Sequence, residues 1–150
     1  MPLEKRVWDV MDIQFLSVTP ETLLKEACNI LSRGKDGKKD TTLVVMRSSG
    51  ELIGILPLRD IMHYVHQLYS KARDREDWWT KLSDRGDDLV SVNDVMVYYE
   101  AEIRPMEKLG EALKMMEDYG LDLLPVVDAG KVIGVVRGVD ILGEIYRKIR

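Results

Sequence analysis

Residues 123–136 read Leu-Leu-Pro-Val-Val-Asp-Ala-Gly-Lys-Val-Ile-Gly-Val-Val. Two almost entirely apolar runs, 123–127 and 132–136, flank the sequence Asp128-Ala129-Gly130. Continuous apolar runs of this length are typical of strands that are buried on both faces, and the glycine between them favours a turn. The stretch therefore predicts two consecutive strands in the interior of a small domain.

The same pattern occurs earlier in the chain, so the sequence contains an internal duplication. Residues 43–56 again carry two apolar runs around a turn, and Ile53-Gly54 corresponds to Ile133-Gly134 at an offset of 80 residues. The segment Val7–Met11 recurs as Val92–Met96 at an offset of 85. Because the matches keep the same order throughout, they indicate two copies of one unit.

Each copy predicts the element order β-α-β-β-α within about 55–60 residues. Amphipathic helices follow from the apolar spacing in residues 23–31 and 109–116, and Gly120 is placed to end the second of them. One such unit is too small to bury both faces of its sheet. We therefore expect an α/β (α+β) fold in which two pseudo-symmetric units pack through their sheets, with an extended helix between the copies.

The duplication also predicts the domain boundaries. Residues 1–65 form the first unit, residues 66–91 a helical extension or linker, and residues 92–150 the second unit. The change in offset places about four extra residues of the first copy in the polar, glycine-containing stretch 32–40, which predicts an exposed loop. Short first strands are expected at 15–18 and 101–104.

The composition is that of a globular chain and excludes several kinds of site. The 150 residues carry 22 basic and 26 acidic side chains, a net charge of −4, which argues against a nucleic-acid-binding surface. The single cysteine, Cys28, excludes an internal disulfide. No apolar stretch approaches the ~20 residues that span a bilayer, and Met1–Arg6 lacks the apolar region of a signal peptide. We expect a cytoplasmic protein.

The motifs of the second copy resemble the cystathionine-β-synthase-type (CBS) domain. They are Asp-Val-Met at 94–96, Pro105 followed by Leu-x-Glu-Ala at 109–112, the strand pair at 124–136 and Asp-Ile-Leu at 140–142. The first copy is more divergent, and the two together resemble a stand-alone CBS pair, or Bateman module. The resemblance implies a regulatory module that binds adenine nucleotides or adenosyl ligands in clefts between the copies and switches a partner protein or an oligomer.

The family signature at the last strand is Gly-h-x-Ser/Thr-x-x-Asp, where h is apolar, the hydroxyl contacts phosphate and the aspartate contacts the ribose hydroxyls. The second copy reads Gly-Val-Val-Arg-Gly-Val-Asp at 134–140. The resemblance therefore implies Asp140 as the ribose ligand and Arg137, in place of the hydroxyl, as a bidentate phosphate ligand. Gly138 would let the backbone approach the ligand closely.

The first copy keeps only part of this signature. It reads Gly-Ile-Leu-Pro-Leu-Arg-Asp at 54–60, which retains Asp60 but places Pro57 at the hydroxyl position. Since proline has no donor there, this cleft is expected to hold an uncharged adenosyl group or nothing. Asp60 and Asp140 also stand at predicted helix starts, where an aspartate stabilises free N–H groups without any ligand. Helix capping is therefore the alternative role for both residues.

The resemblance places the adenine slot around the first strand and the start of the second. In the second copy these positions are Glu100, Ala101, Glu102, Asp122, Leu123 and Leu124. The apolar members, Ala101, Leu123 and Leu124, are predicted ligand contacts. A place in the hydrophobic core is the alternative for each of them.

The stretch between the copies carries an unusual aromatic pair. Apolar residues from Ile61 to Leu82 follow one helical face, so the closing helix of the first copy is predicted to continue to about Leu82. Trp78 and Trp79 near its end, together with Tyr69, are predicted to contact a partner or a second copy, because exposed apolar patches often mark contact sites. The alternative is that the helix folds back on its own pair.

No other residues combine into a catalytic or metal site. His63 and His66 share one helical face, but without further ligands we expect surface or dimer-contact histidines rather than metal ligands. Cys28 lies on an amphipathic helix and is predicted to be a small buried thiol. We expect no enzymatic activity, no metal and no required cofactor.

The leading hypothesis is a homodimeric sensor that binds AMP, ADP, ATP or S-adenosylmethionine and regulates a protein that the sequence does not identify. The alternative is a ligand-free protein–protein interaction or dimerisation module that uses the long tryptophan-containing helix. Neither a membrane nor a nucleic acid is expected as a partner.

Overall fold

Two small β-sheets form the centre of the computed structural model, which describes residues 1–37, 39–72, 78–82, 90–98 and 101–150. The strands are β1 (Ser17–Val18), β2 (Thr42–Met46), β3 (Leu52–Pro57), β4 (Leu123–Asp128) and β5 (Lys131–Arg137). The α-helices are α1 (Leu24–Arg33), α2 (Leu58–Lys71), α3 (Val92–Val95), α4 (Leu109–Tyr119) and α5 (Gly138–Ile149). Short 3₁₀ helices lie at Pro2–Glu4, Val7–Asp9 and Trp78–Leu82.

The two copies repeat one sheet topology. In the first, β1 runs parallel to β2 and β2 antiparallel to β3, and in the second, β4 pairs antiparallel with β5. The strand predicted at 101–104 is reduced to a parallel bridge between Ile103 and Val126, in which the Ile103 N–H donates to the Pro125 carbonyl at 3.0 Å. The two apolar runs at 123–127 and 132–136 form β4 and β5, as predicted.

The segment that begins the first copy packs on the second copy. Val7 is fully buried in the core of the second copy, and its N–H donates to the Glu107 carbonyl at 2.8 Å. Asp12 exchanges two backbone hydrogen bonds with Val135 of β5, at 2.8 and 2.9 Å. A Cβ on Gly134 would lie 2.7 Å from the Asp12 carbonyl oxygen, so this close approach requires glycine.

The corresponding segment of the second copy packs on the first. Val92 is fully buried in the core of the first copy, and its N–H donates to the Thr22 carbonyl at 2.8 Å. A capping box begins α3, in which the Asp94 carboxylate accepts the Ser91 N–H at 2.8 Å. The Ser91 hydroxyl also donates to this carboxylate, at 3.1 Å. Residues 7–12 thus pack on the second copy and residues 91–96 on the first, and we call them the exchanged segments. Each core is completed by the exchanged segment of the other unit.

The two sheets face each other across a small apolar interface. Val44 of β2, Leu123 of β4 and Val135 of β5 are buried there in a cluster that is separate from the cores of the two units. The Val132 N–H donates to the Gly50 carbonyl at 2.9 Å and joins the two hairpins near their turns. This is the predicted packing of two units through their sheets.

The helices agree with the sequence pattern except at one end. Gly120 follows α4 in the left-handed conformation, with φ 65° and ψ 40°, as predicted. In contrast, α2 ends at Lys71, so the prediction of a helix to about Leu82 is wrong in its end point. A straight helix of that length would extend over ~35 Å, whereas Leu82 packs against the core of the first copy. Residues 73–77 lie outside the described part of the chain.

None of the described helices is both long enough and apolar enough to cross a membrane.

Candidate functional site

A cleft with a cavity volume of about 420 Å³ lies between the two copies at the amino end of α5, and we call it the copy-two cleft. Both copies contribute to its lining, which consists of Asp12, Lys39, Asp40, Thr41, Asp122, Leu123, Arg137, Val139 and Asp140. The volume falls in the usual range for small-molecule sites. Four carboxylates and two cations meet in this lining, so its electrostatics strongly influence which ligands can enter.

Arg137 ties three segments of the chain together in the copy-two cleft. Its Nε and Nη2 donate to the two carboxylate oxygens of Asp40 at 2.7 and 2.9 Å. Its Nη1 donates to the Asp12 carboxylate at 2.8 Å, and Nη2 also donates to the Gln14 carbonyl at 3.0 Å. These bonds use four of the five N–H groups of a guanidinium.

The ion pairs fix both the charge and the position of Arg137. The hydrogen bond to Asp40 raises the pKa of Arg137 further above its ordinary value, against the opposing effect of burial. The Arg137 side chain is only 12% exposed and that of Asp40 only 9%. A paired, nearly buried guanidinium of this kind is costly to separate from its carboxylates.

Asp122 links the copy-two cleft to the first copy. The hydroxyl of Thr41 donates to one carboxylate oxygen at 2.5 Å, and that of Thr42 donates to the other at 3.4 Å. The Asp122 carbonyl accepts the Gly138 N–H at 2.9 Å. Gly138 therefore lies beside the cleft, with its own N–H already bonded to the residue before β4.

Asp140 is the third residue of α5 and lines the copy-two cleft. Its carboxylate accepts no hydrogen bond from any described residue and forms no ion pair with one. The capping geometry that would explain it without a ligand is thus not formed in the described part of the chain. The positive end of the helix dipole stabilises the carboxylate, which retains its capacity to accept O–H donors.

The pseudo-symmetric cleft of the first copy has a cavity volume of about 400 Å³ and a different lining. Arg59 crosses it and donates from Nη1 to the Gly120 carbonyl and from Nη2 to the Tyr119 carbonyl, both at 2.7 Å. These bonds satisfy carbonyls at the carboxyl end of α4. Pro57 lines the cleft, but Asp60 is not among its described lining residues. Asp60 is the third residue of α2, and its ligand role stays a prediction.

The three apolar residues predicted as adenine contacts are separated in the structure. Leu123 lines the copy-two cleft and also belongs to the interface between the sheets. Ala101 and Leu124 are buried in the core of the second copy and do not line that cleft. Glu100 lies outside the described residues, and the ligand roles of Ala101 and Leu124 stay predictions.

Two of the three aromatic residues predicted as contacts lie together. The rings of Tyr69 and Trp78 pack edge to face, with centroids 5.5 Å apart and planes at 75°. Trp79, next to them, is 54% exposed. This aromatic surface stays a predicted contact site.

The histidines are exposed on the surface, whereas the cysteine is less buried than the sequence suggested. His63 hydrogen-bonds to Gln67 at 3.2 Å and His66 to Ser70 at 3.3 Å, both on the surface of α2. Cys28 is partly buried, and burial raises the pKa of its thiol. Within the described residues, no group of three or more His, Cys, Asp or Glu side chains is arranged to hold a metal ion.

Sequence reasoning missed Asp12, Asp40 and Thr41 as residues of the copy-two cleft. Asp12 lies 125 residues from Arg137 and Asp40 lies 97 residues from it, so no local pattern connects them. The one available signal was the arginine at the signature position itself, because a buried arginine needs a counter-ion.

Comparisons with known proteins agree with the duplicated fold. The family model of the CBS domain matches residues 7–67 and 92–147, one match for each copy. No curated protein sequence gives a significant match to the chain.

Solved structures share the fold at low sequence identity. CBSX2 in complex with AMP has a TM-score of 0.72 and 23% identity, over 97% of this chain and 98% of that one. The CBS domain pair of protein MJ0100, in complex with 5′-methylthioadenosine and S-adenosyl-L-methionine, has a TM-score of 0.68 and 20% identity, over 96% and 98%. The cytosolic domain of the Mg²⁺ channel MgtE in complex with ATP has a TM-score of 0.68 and 23% identity; the match covers 93% of this chain but only 48% of that one.

Proposed function

The chain belongs to the CBS domain family, and we propose that it is a regulatory module that binds an adenosyl ligand in the copy-two cleft. The observation that carries this proposal is the Asp140 carboxylate. It lines a cavity of about 420 Å³ and has no hydrogen-bond or ion-pair partner among the described residues. Structures of the same fold were solved with AMP, with ATP and with S-adenosyl-L-methionine.

Asp140 is suited to bind a ribose. A carboxylate has two oxygens that accept O–H donors, and a ribose offers two adjacent hydroxyls in a fixed orientation. Hydrogen bonds to an ionised group are roughly twice as strong as neutral ones. The apolar part of the same lining consists of Leu123, which is 2% exposed, and the exposed Val139, against which a base can pack.

Ligand binding at this position would couple the two copies. Asp12, Asp40 and Thr41 come from the first copy, whereas Asp122, Arg137 and Asp140 come from the second. A ligand that contacts both sets stabilises the conformation in which they are close, by an amount set by its concentration relative to its Kd. The relative position of the copies is then the signal that a partner protein or an oligomer reads.

We assign no ligand to the cleft of the first copy. Arg59 already occupies it with two hydrogen bonds to the end of α4. Pro57 provides no N–H donor there. The role of this cleft in the proposal is structural, because Arg59 connects α2 of the first copy to the end of α4 of the second.

The proposed oligomer is a homodimer formed through α5 and α2. One side of α5 carries four exposed apolar residues, Val139, Leu142, Tyr146 and Ile149. The equivalent helix α2 exposes Met62 and Tyr69. In a two-fold dimer the same apolar patch of each subunit would be buried against its copy. Sedimentation velocity should give a dimer that Leu142→Ser weakens and the control Lys148→Ser does not; a monomeric wild type would contradict the assignment.

The alternative of a ligand-free interaction module is favoured by the half-exposed Trp79 beside the Tyr69–Trp78 pair. Under this alternative both clefts serve only to hold the fold together. It predicts no change in thermal stability with any adenosyl compound.

Native mass spectrometry of the purified protein, followed by calorimetric titration with adenosine, AMP, ADP, ATP and S-adenosylmethionine, tests the proposal. We expect at least one of these compounds to bind in a 1:1 ratio per chain, and Asp140→Ala to abolish that binding. Binding that is unaffected by Asp140→Ala would contradict the site, and the absence of all binding would contradict the function.

A further inference from the structure

The copy-two cleft differs from a typical phosphate site in how its arginine is used. A phosphate-binding arginine offers a pair of parallel N–H donors to the anion. In this chain the Nε and Nη2 of Arg137 already make that forked interaction with Asp40, at 2.7 and 2.9 Å. Nη1 is taken by Asp12 at 2.8 Å. The two carboxylates therefore occupy the positions that phosphate oxygens would take.

The charge of the lining points the same way. Asp12, Asp40, Asp122 and Asp140 provide four negative charges, against which Lys39 and Arg137 provide two positive ones. Lys39 is exposed to solvent, where water screens it. A phosphate that entered would meet an excess of negative charge, and it would have to break a nearly buried ion pair to reach Arg137.

From this geometry, and resting on the proposed function, we infer that the copy-two cleft selects adenosyl compounds whose 5′ substituent is uncharged or positively charged, and rejects 5′-phosphates. Asp12 and Asp40 are the residues that determine this specificity, and Arg137 is their counter-ion rather than a ligand of the substrate. Asp140 keeps its place on the ribose, which both classes of compound share.

The position of Asp40 in the sequence supports its role as the counter-ion of Arg137. The residue ends the polar stretch 32–40, which is about four residues longer than its counterpart in the second copy. Its carboxylate accepts two hydrogen bonds from Arg137, across 97 residues of chain. Asp40, at the end of this longer stretch, is thus paired with the unusual arginine of the signature, and the anion that the arginine binds belongs to the protein itself.

Calorimetric titration of the wild-type chain with adenosine, S-adenosylmethionine and AMP tests the inference. We expect adenosine and S-adenosylmethionine to bind at least about tenfold more tightly than AMP at low ionic strength. The double variant Asp12→Asn/Asp40→Asn removes two negative charges and the two carboxylates that bind Arg137. It should therefore reduce the ratio of the Kd of AMP to the Kd of adenosine by about tenfold. The control Asp128→Asn changes a carboxylate at the far end of β4, ~17 Å along the strand from Leu123, and should leave the ratio unchanged.

The outcomes separate this inference from the proposed function. AMP binding by the wild type as tight as that of adenosine would overturn the inference and leave the adenosyl site in place. Binding of none of the three compounds would overturn the proposed function, and the inference with it. Since the wild-type comparison decides the selectivity, the conclusion does not depend on the double variant folding.

Discussion

The guanidinium of Arg137 and the carboxylate of Asp40 form a forked ion pair, with Nε 2.7 Å from Oδ1 and Nη2 2.9 Å from Oδ2. Arg137 ends β5 of the second copy, and Asp40 lies in the loop before β2 of the first. With Asp12 on the exchanged segment of the first copy, the pair connects the two copies by charge at the edge of the proposed ligand site.

Replacing Arg137 with alanine should lower the free energy of unfolding by about 2–4 kcal/mol. The change leaves the carboxylates of Asp12 and Asp40, 25% and 9% exposed, without their cation, and removing one partner of a largely buried pair is strongly destabilising. Urea unfolding measures the loss. Arg47→Ala is the control, because Arg47 forms only an exposed pair with Glu51 at 3.5 Å and should cost less than about 1 kcal/mol. Equal losses in the two variants would contradict the structural role of Arg137.

Two glycine substitutions should change stability in opposite directions. A Cβ at Gly134 would lie 2.7 Å from the backbone oxygen of Asp12, so Gly134→Ala should push the exchanged segment away and cost roughly 1–3 kcal/mol. Gly143 in α5 has no atom within 4 Å of the added Cβ, and alanine there should stabilise the helix by about 0.5–1 kcal/mol. Thermal unfolding of both variants gives the signs; a Gly134→Ala variant as stable as the wild type would exclude the close approach.

The sequence predicted the parts of the fold that depend on local patterns. The apolar runs at 123–127 and 132–136 became β4 and β5, and Gly120 ends α4 in the left-handed conformation. The duplication predicted two similar units. It also predicted that they pack together, because one unit of that size cannot complete a core alone. These features are decided within a few residues of one another, or within one copy.

The exchange of first segments was beyond sequence reasoning, because Val7 and Val92 carry the same local pattern whichever core they enter. The same limit applied to Arg137, whose partners lie 97 and 125 residues away. The end of α2 was missed for a different reason. A continuing apolar face is compatible both with one long helix and with a chain that turns so that Leu82 reaches the first core.

Cys28 should react slowly with alkylating agents. Burial raises the pKa of its thiol, so a smaller fraction is thiolate at pH 8 than in a free cysteine, and the thiolate is the reactive form. Because the chain has a single cysteine, iodoacetamide labelling followed by mass spectrometry reports on this site alone. We expect labelling at least several-fold slower in the native protein than in 6 M urea, and equal rates would show that the thiol is not protected.

Acidification should weaken the contact between Lys5 and Glu144 of α5. Glu144 accepts a hydrogen bond from Lys5 at 2.9 Å, and this bond holds the pKa of the Glu144 carboxyl below its usual range. A carboxyl whose pKa is lowered by folding contributes stability above its unfolded pKa, near 4.5, and loses that contribution as the pH falls through its folded pKa. The urea midpoint should fall more between pH 7 and pH 3.5 for the wild type than for Glu144→Gln. Identical falls would contradict the prediction.

If Asp140 binds the ribose of an adenosyl ligand, the chain should distinguish adenosine from 2′-deoxyadenosine. By calorimetry, wild type should bind adenosine at least about tenfold more tightly, because the deoxy compound lacks one of the two donors to the carboxylate. Asp140→Asn should lose most of this discrimination, whereas Asp60→Asn, the equivalent change in the first copy, should keep it. An Asp140→Asn variant that binds adenosine as tightly as the wild type and still discriminates against the deoxy compound would show that Asp140 does not bind the ribose.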